Sequence, residues 1–365
     1  MKSRWQQFLV IGFVLMTAII AGCSAEAPSG TKAGTSSGAS SGPRVKLQGA
    51  GASFPAPLYN KWFKTYSAAH LNVQIDYQSV GSGSGVKAVI DKTVDFGASD
   101  AAMTEDEMKQ VDVGVQLLPM TAGSIVLAYN VPGVENLQLS RQAYVGIFLG
   151  KVTKWNDPLI ASANPGVTLP DSPVHVVVRA DSSGTTYVFT KHLAAISEEF
   201  AGSPGVNKMP NWPTGTKSKG NEGVAGSIHT TPGSIGYMEY GYAVGAKIKM
   251  ATVENKAGKF VVPTIASASA ALEAVEMPDN LIAWLPDPEG DNSYPIVTYT
   301  WIIAYKQYAD AGKAQALKDV LTYCLGEGQT KSESLGYAPL PASVIVKVQK
   351  ALENVQAGAV ATATK

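Results

Sequence analysis

An arginine, an aspartate and a run of hydroxyls meet in VRADSSGTTYVF (178–189). The segment follows the alternating stretch PVHVVV and precedes a helical stripe of Tyr187, Val188, Phe189, His192 and Leu193. A strand that turns directly into a helix leaves several N–H groups unpaired at the helix start, where the dipole is positive. Ser183 and Thr185 add hydroxyl donors there, Gly184 lets a ligand approach the backbone, and Arg179 can grip an oxyanion with paired N–H bonds. Such a turn suits capture of an anion. The same hydroxyls could also serve as nucleophiles, and the local sequence leaves both chemistries open.

Two other turns repeat the pattern. GAGASFPAPLYNKW places Ser53 and Phe54 after two glycines and before prolines that can start a helix carrying Leu58, Trp62 and Tyr66. VQIDYQSV (73–80) runs as a strand into GSGSGVKAVI, with Ser82 at the helix start. Any one of these turns reads as an ordinary N-cap. Three of them, one carrying an arginine, favour an anion site.

Enzyme signatures fail on inspection. GASSG (38–42) fits G-x-S-x-G but has no flanking strand or helix, and GSGSG (81–85) has glycine at the nucleophile position. GIFLGK is one residue short of a P-loop, and Val86 stands where a dinucleotide fingerprint needs its third glycine. His70, His175, His192 and His229 are scattered without metal-ligand spacing and read as histidines on strand and helix surfaces. No cofactor, metal site or catalytic residue is expected. Formal net charge is zero, from 29 basic and 29 acidic residues, which argues against a nucleic-acid partner.

These turns must be positioned by alternating strands and helices. Strands are expected at 73–78, 123–131 and 296–305, with a short one at VDFGASD; helices are expected at 57–69, 140–149, 187–200, 267–276, 312–325 and 341–354. MTEDEMK reads as a capped helix start. The alternation predicts an α/β fold with largely parallel sheets. With 365 residues, two domains are the natural expectation.

The N-terminus has basic Lys2 and Arg4, the apolar run FLVIGFVLMTAII, and then IAGC ending at Cys23. This is a secretory signal, and IAGC is similar to a bacterial lipobox, which makes Cys23 the lipidated residue and 1–23 the signal peptide. Residues 24–44 lack large apolar side chains and read as a flexible tether. The remaining Cys324 is expected to be a buried structural thiol.

Between residues 45 and 355 the motifs GAGASFPAPLYNKW, VGSGSGVK, VDFGASDAAM, FLGKVTKWND, VVRADSSGTTYVFT, KGNEGVAG, PGSIGYMEYGYA and LGYAPLPASV occur in that order. Together they resemble the periplasmic phosphate-binding proteins that serve bacterial ABC phosphate importers. The resemblance implies a type II periplasmic-binding-protein fold: two lobes, each a parallel-rich mixed sheet flanked by helices, with the ligand in the cleft between them. Lobe 1 would comprise 45–120 plus 296–356, lobe 2 would comprise 121–295, and 357–365 would be a tail. The crossing strands would fall near 119–125 and 293–299. The resemblance further implies phosphate contacts from Ser53, the Phe54 N–H, Ser82, Asp100, Arg179, Ser183, Gly184 and Thr185, with Asp181 supporting Arg179. It implies a monomeric, extracytoplasmic, lipid-anchored protein whose partners are inorganic phosphate and the ABC permease subunits. The sequence departs from the family pattern by Ser53 for threonine, by GSGSG for GSSGG, and by Ser182 for glycine.

Asp100 would choose the ligand. A buried carboxylate beside an anion is unfavourable unless that anion has a proton to donate, which hydrogen phosphate has and sulfate lacks at neutral pH. The alternatives are a receptor for sulfate, molybdate or arsenate, or a secreted phosphoester hydrolase using Ser183 or Thr185.

Overall fold

A computed structural model describes residues 43–358. The stretches read as signal peptide and tether up to residue 42, Cys23 among them, lie outside the described residues, as does the stretch read as tail from 359. Nine strands build the main sheet: β1 Val45–Gly51, β2 Val73–Ser79, β3 Phe96–Ser99, β4 Val115–Asn130, β5 His175–Arg179, β6 Thr216–Ser218, β7 Ser234–Glu239, β8 Lys249–Met250 and β9 Val297–Tyr305. Their spatial order is β2-β1-β3-β9-β4-β7-β5-β6, with β8 also on β4. β1, β2 and β3 are mutually parallel at one end, and β5, β6 and β7 at the other. The antiparallel pair β9 and β4 stands between them. Parallel neighbours require crossover connections, and the helices of the expected α/β pattern supply them.

The two expected sheet halves are continuous because β4 is long. Val115–Ser124 lies against β9, and Ile125–Asn130 against β7. The strand expected from residue 123 thus extends back to Val115. Pro119 obscures this in the sequence, since proline cannot donate to a ladder. It is tolerated where the register slips between Thr300 and Trp301, so that Thr121 and Pro119 are paired while Met120 is passed over.

Four helices begin just beyond strand ends: α1 Ala56–Ala69, α2 Ser82–Ile90, α3 Gly184–Ile196 and α4 Gly220–Thr230. In α1 the buried stripe includes Leu58, Trp62 and Tyr66, with Trp62 Nε1 donating to the Gly328 carbonyl at 2.7 Å. The helix expected over 187–200 is two helices. Ser197 interrupts it, and its hydroxyl accepts from Phe200 N–H to cap a new helix, Glu198–Gly202. Thr104 and Glu107 form the capping box expected in MTEDEMK. A short strand Gln356–Ala357 pairs with Gln307–Tyr308, one residue into the stretch read as tail.

Cys324 is fully buried in the helix Ala311–Leu325, and burial pushes its thiol pKa well up, as a structural thiol requires. His192 overturns the expectation of surface histidines: it has no exposed surface. Its Nδ1–H donates to the Pro286 carbonyl at 2.6 Å, so its Nε2 accepts from Tyr144 Oη at 2.9 Å. Burial drives its pKa down to about 4, so the ring stays neutral at physiological pH.

Candidate anion-binding site

In parallel α/β sheets, ligand groups gather beyond the carboxyl ends of the strands. Here β1 leads to Ser53 and Phe54, β2 to Ser82, β3 to Asp100, β5 to Arg179 and Ser183, and β6 to Asn221. All of the hydroxyl and charged groups among them are buried: Ser53, Ser82, Asp100, Arg179, Ser183, Thr185 and Asn221 are each at most 5% exposed. Residues separated by most of the chain thus form one polar cluster.

Each hydroxyl in the cluster already has a nitrogen feeding its oxygen. Ser53 Oγ accepts from Asn221 N at 3.1 Å and from Asn221 Nδ2 at 2.8 Å. Ser82 Oγ accepts from Asp100 N at 3.2 Å, and Ser183 Oγ from Thr186 N at 3.0 Å. Thr185 Oγ1 accepts from Asn221 Nδ2 at 3.3 Å and donates to Asp100 Oδ2 at 3.3 Å. The Ser53, Ser82 and Ser183 hydroxyls, whose acceptor sides are engaged, have their protons to offer, while that of Thr185 is given to Asp100. Gly184 and Thr185 open α3, so their N–H groups have no carbonyl a turn earlier. The arrangement is therefore a field of donors, with Arg179 as its positive charge.

Arg179 is fixed from one side. Nε and Nη2 donate to the two oxygens of Asp181 at 2.9 and 2.5 Å, and Gly220 N–H adds a third bond to Asp181. Burial pushes the Asp181 carboxyl up, but the Arg179 bonds and charge and the Gly220 N–H outweigh that and hold it below the ordinary range. Nη1 of Arg179 is buried and has no partner among the described residues. Asp181 thus orients the guanidinium and leaves one of its nitrogens unpaired.

Asp100 adds a carboxylate on the side of these donors away from Asp181. Burial raises its pKa from 3.8 to about 6, against the lowering effects of Thr300, Arg179, Thr185 and Ser82. Thr300 Oγ1 donates to its Oδ1 at 2.9 Å.

Three tyrosines hold the first loop by successive carbonyls. Tyr77 donates to Ala52 O at 2.6 Å, Tyr242 to Ser53 O at 2.6 Å and Tyr337 to Phe54 O at 2.7 Å. With its carbonyls turned toward the tyrosines, the loop can present its N–H groups and the Ser53 hydroxyl to the cluster. Phe54 itself is a buried anchor.

The model of the PBP superfamily domain matches residues 27–327. The phosphate-binding protein PstS of Pasteurella multocida is 40% identical over 309 residues, covering 83% of this chain and 88% of its own. That of Methanocaldococcus jannaschii is 37% identical and covers 92% of both chains. The chain belongs to the periplasmic phosphate-binding protein family. Solved structures agree on the fold. A high affinity periplasmic phosphate-binding protein bound with phosphate superposes with a TM-score of 0.70 at 24% identity, over 84% of this chain and 93% of that one. An ABC-type phosphate transport receptor from Vibrio cholerae gives 0.55 at 18% identity, over 81% and 100%. Each is a two-lobed protein of the same fold class.

Asn221 and Thr300 were not singled out by sequence reasoning. Asn221 lies in the motif KGNEGVAG and follows the same strand–glycine–helix pattern as the other turns, which was the available signal. Its Oδ1 also accepts from Glu239 N at 2.9 Å, so it ties β7 to Ser53 and Thr185. Thr300 sits inside a buried strand and carries no local signal.

Two of the sequence departures explain each other. A Cβ at Gly83 would lie 2.1 Å from Ser182 Oγ and 2.5 Å from Ser182 Cβ. The side chain absent at 83 is thus replaced by one at 182, and Gly83 N–H donates to the Ser182 carbonyl at 2.9 Å. Ser84 is exposed and lines a cavity of about 710 Å³ outside the buried cluster, together with Asp181 and Ser182.

Gly83→Ser is expected to destabilise by about 1–3 kcal/mol through overpacking, and adding Ser182→Gly to restore most of that. Thermal unfolding of both single variants and the double variant checks this; additive effects would contradict the pairing. Asp100 also sets a pH dependence. Because its folded pKa lies above the ordinary value, the folded state binds the extra proton between 3.8 and about 6. Its contribution is fully present below that window and is lost as pH rises through it, by roughly 3 kcal/mol in total. In urea unfolding without phosphate, the stability advantage of Asp100→Asn over the wild type should therefore widen from pH 4.5 to pH 7 and then level off.

Proposed function

We propose that this protein binds hydrogen phosphate between its two lobes and delivers it to an ABC-type permease. The observation that carries this reading is the buried, unpartnered Nη1 of Arg179, in a protein that also gathers buried hydroxyls whose acceptor sides are already engaged. An unpaired buried guanidinium N–H is unfavourable by roughly 1–3 kcal/mol unless a ligand takes it. The proposed contacts are the Arg179 guanidinium, the hydroxyls of Ser53, Ser82 and Ser183, that of Thr185 once its proton turns from Asp100 to the ligand, and the N–H groups of Phe54, Gly184 and Thr185. Asp100 receives the ligand's proton, and so favours hydrogen phosphate over sulfate. The names of the relatives support this reading, since they are named for phosphate binding and not for catalysis.

The lobe boundaries proposed are 45–120 plus 296–356 for one and 121–295 for the other. On that division several contacts bridge the lobes: Asn221 to Ser53, Thr185 to Asp100, Tyr242 to the Ser53 carbonyl and Gly83 N–H to the Ser182 carbonyl. Lys208 and Glu107 add an ion pair at 3.4 Å. On this reading these contacts belong to the closed form. Opening about β4 and β9 would break them as a set and give the ligand a path out.

For a hydrolase the carboxylate beside a candidate nucleophile is Asp100 on Thr185, and among the described residues no histidine is hydrogen-bonded to Ser183. Ser183 Oγ accepts from Thr186 N, and both nitrogens of His192 are engaged by Tyr144 and Pro286. No helix among the described residues is long and apolar enough to cross a membrane. Attachment through a lipid on Cys23, with the folded body outside the cytoplasm, remains part of the proposal and rests on the IAGC motif. Function as a monomer is likewise part of the proposal.

Titration calorimetry should show tight phosphate binding that a large excess of sulfate does not displace. Arg179→Ala should weaken phosphate by about a hundredfold or more, since bonds to a charged group contribute roughly 1.5–3 kcal/mol each. Asp100→Asn, which can donate as well as accept, should admit sulfate. Equal sulfate affinity in the wild type would overturn the role given to Asp100.

A further inference from the structure

Asp100 can reject a proton-free anion only while it is ionised, and something must keep it so in a site that burial makes hostile to charge. The groups on its two oxygens differ. Oδ2 meets Thr185 Oγ1 at 3.3 Å, a long contact on the side of the α3 start. Oδ1 meets Thr300 Oγ1 at 2.9 Å, and both residues are buried. Thr300 lies in β9 opposite the end of β3, since its neighbour Trp301 is paired with Ser99. It also sits at the register slip between β9 and β4. Bulges re-aim side chains beside functional sites. The bulge here is held, since the carbonyl of the passed-over Met120 accepts from Gln329 Nε2 at 2.8 Å.

We propose that Thr300 is a specificity-determining residue acting through Asp100. Its hydroxyl donates to Oδ1, holds the carboxylate ionised and aims Oδ2 at the ligand. The inference rests on the phosphate reading of the site. The other titratable and charged groups around Asp100 are Arg179, Glu239, Tyr59, Tyr77, Tyr242 and Tyr337. Arg179 also opposes protonation of Asp100. The four tyrosines are kept neutral by burial, and burial likewise raises the Glu239 carboxyl well above its usual range. Tyr59 also meets the Thr300 side chain, but it is neutral, so the charge that a change at position 300 acts on is that of Asp100.

The consequence concerns sulfate more than phosphate. Sulfate needs Asp100 protonated, whereas hydrogen phosphate brings its own proton to the shared bond. Removing a hydrogen bond to a charged group raises the carboxyl's proton affinity by about ten- to a hundredfold. At a fixed pH above the Asp100 pKa, sulfate affinity should rise by the same factor, and phosphate affinity should change far less.

The test measures phosphate and sulfate affinities by calorimetry from pH 5 to pH 8.5 on the full chain. Wild type, Thr300→Val, Thr300→Ala and Thr300→Ser are compared, each checked for native circular dichroism. The expected result is that the pH at which sulfate begins to bind moves up by about one to two units in the valine or alanine variant. Thr300→Ser should return it to the wild-type position. If one apolar variant fails to fold, the other carries the comparison. A sulfate profile unchanged in the apolar variants, or a serine variant that behaves like valine, overturns the inference. Failure of the wild type to bind phosphate would instead overturn the reading of the site on which the inference rests.

Discussion

The structure turns on a buried guanidinium that is only partly neutralised. Arg179 is 1% exposed in its side chain and is paired with Asp181 through two of its nitrogens. Full pairing would leave a closed ion pair with nothing to attract. A bare arginine at such depth would be strongly unfavourable. The observed compromise fixes the charge in place and leaves one nitrogen unsatisfied. The remaining groups are arranged around that condition: serine hydroxyls with protons to offer, a helix start at Gly184, and Asp100 as a buried acceptor.

The fold supplies this arrangement through a simple rule applied at both ends of one sheet. Two parallel triplets point their carboxyl ends at a common region, and β4 and β9 join them. Every strand in the two triplets except β7 hands over to a turn of the polar cluster, and β7 ends at Glu239, whose N–H donates to Asn221. The tyrosine bonds to the carbonyls of Ala52, Ser53 and Phe54 then remove the main freedom left to the first loop. The family's binding chemistry and its two-lobed architecture are thus consequences of the same strand ends.

Much of this was legible in the chain because the signals were local. Turns rich in glycine and hydroxyls mark helix starts, alternation marks strands, and Arg179 lies two residues from the aspartate that orients it. What the sequence hid was relational. Thr300 acts on a residue two hundred positions away. Asn221 looks like a helix start until its amide is seen between Ser53 and Thr185. The exchange between Gly83 and Ser182 reads as two separate departures until the two backbones are found side by side. His192 gave no hint of its burial, because its partners Tyr144 and Pro286 belong to other segments.

The central claim is that one tetrahedral anion is shared between Arg179 and Asp100. A crystal structure of the protein grown with phosphate tests it most directly. The account predicts tetrahedral density touching Arg179 Nη1 and the hydroxyls of Ser53, Ser82, Ser183 and Thr185. One of its oxygens should lie about 2.5–2.7 Å from an Asp100 oxygen, as a hydroxyl donating to a carboxylate requires. Density at another place, or an Asp100 carboxylate turned away from the anion, would contradict it.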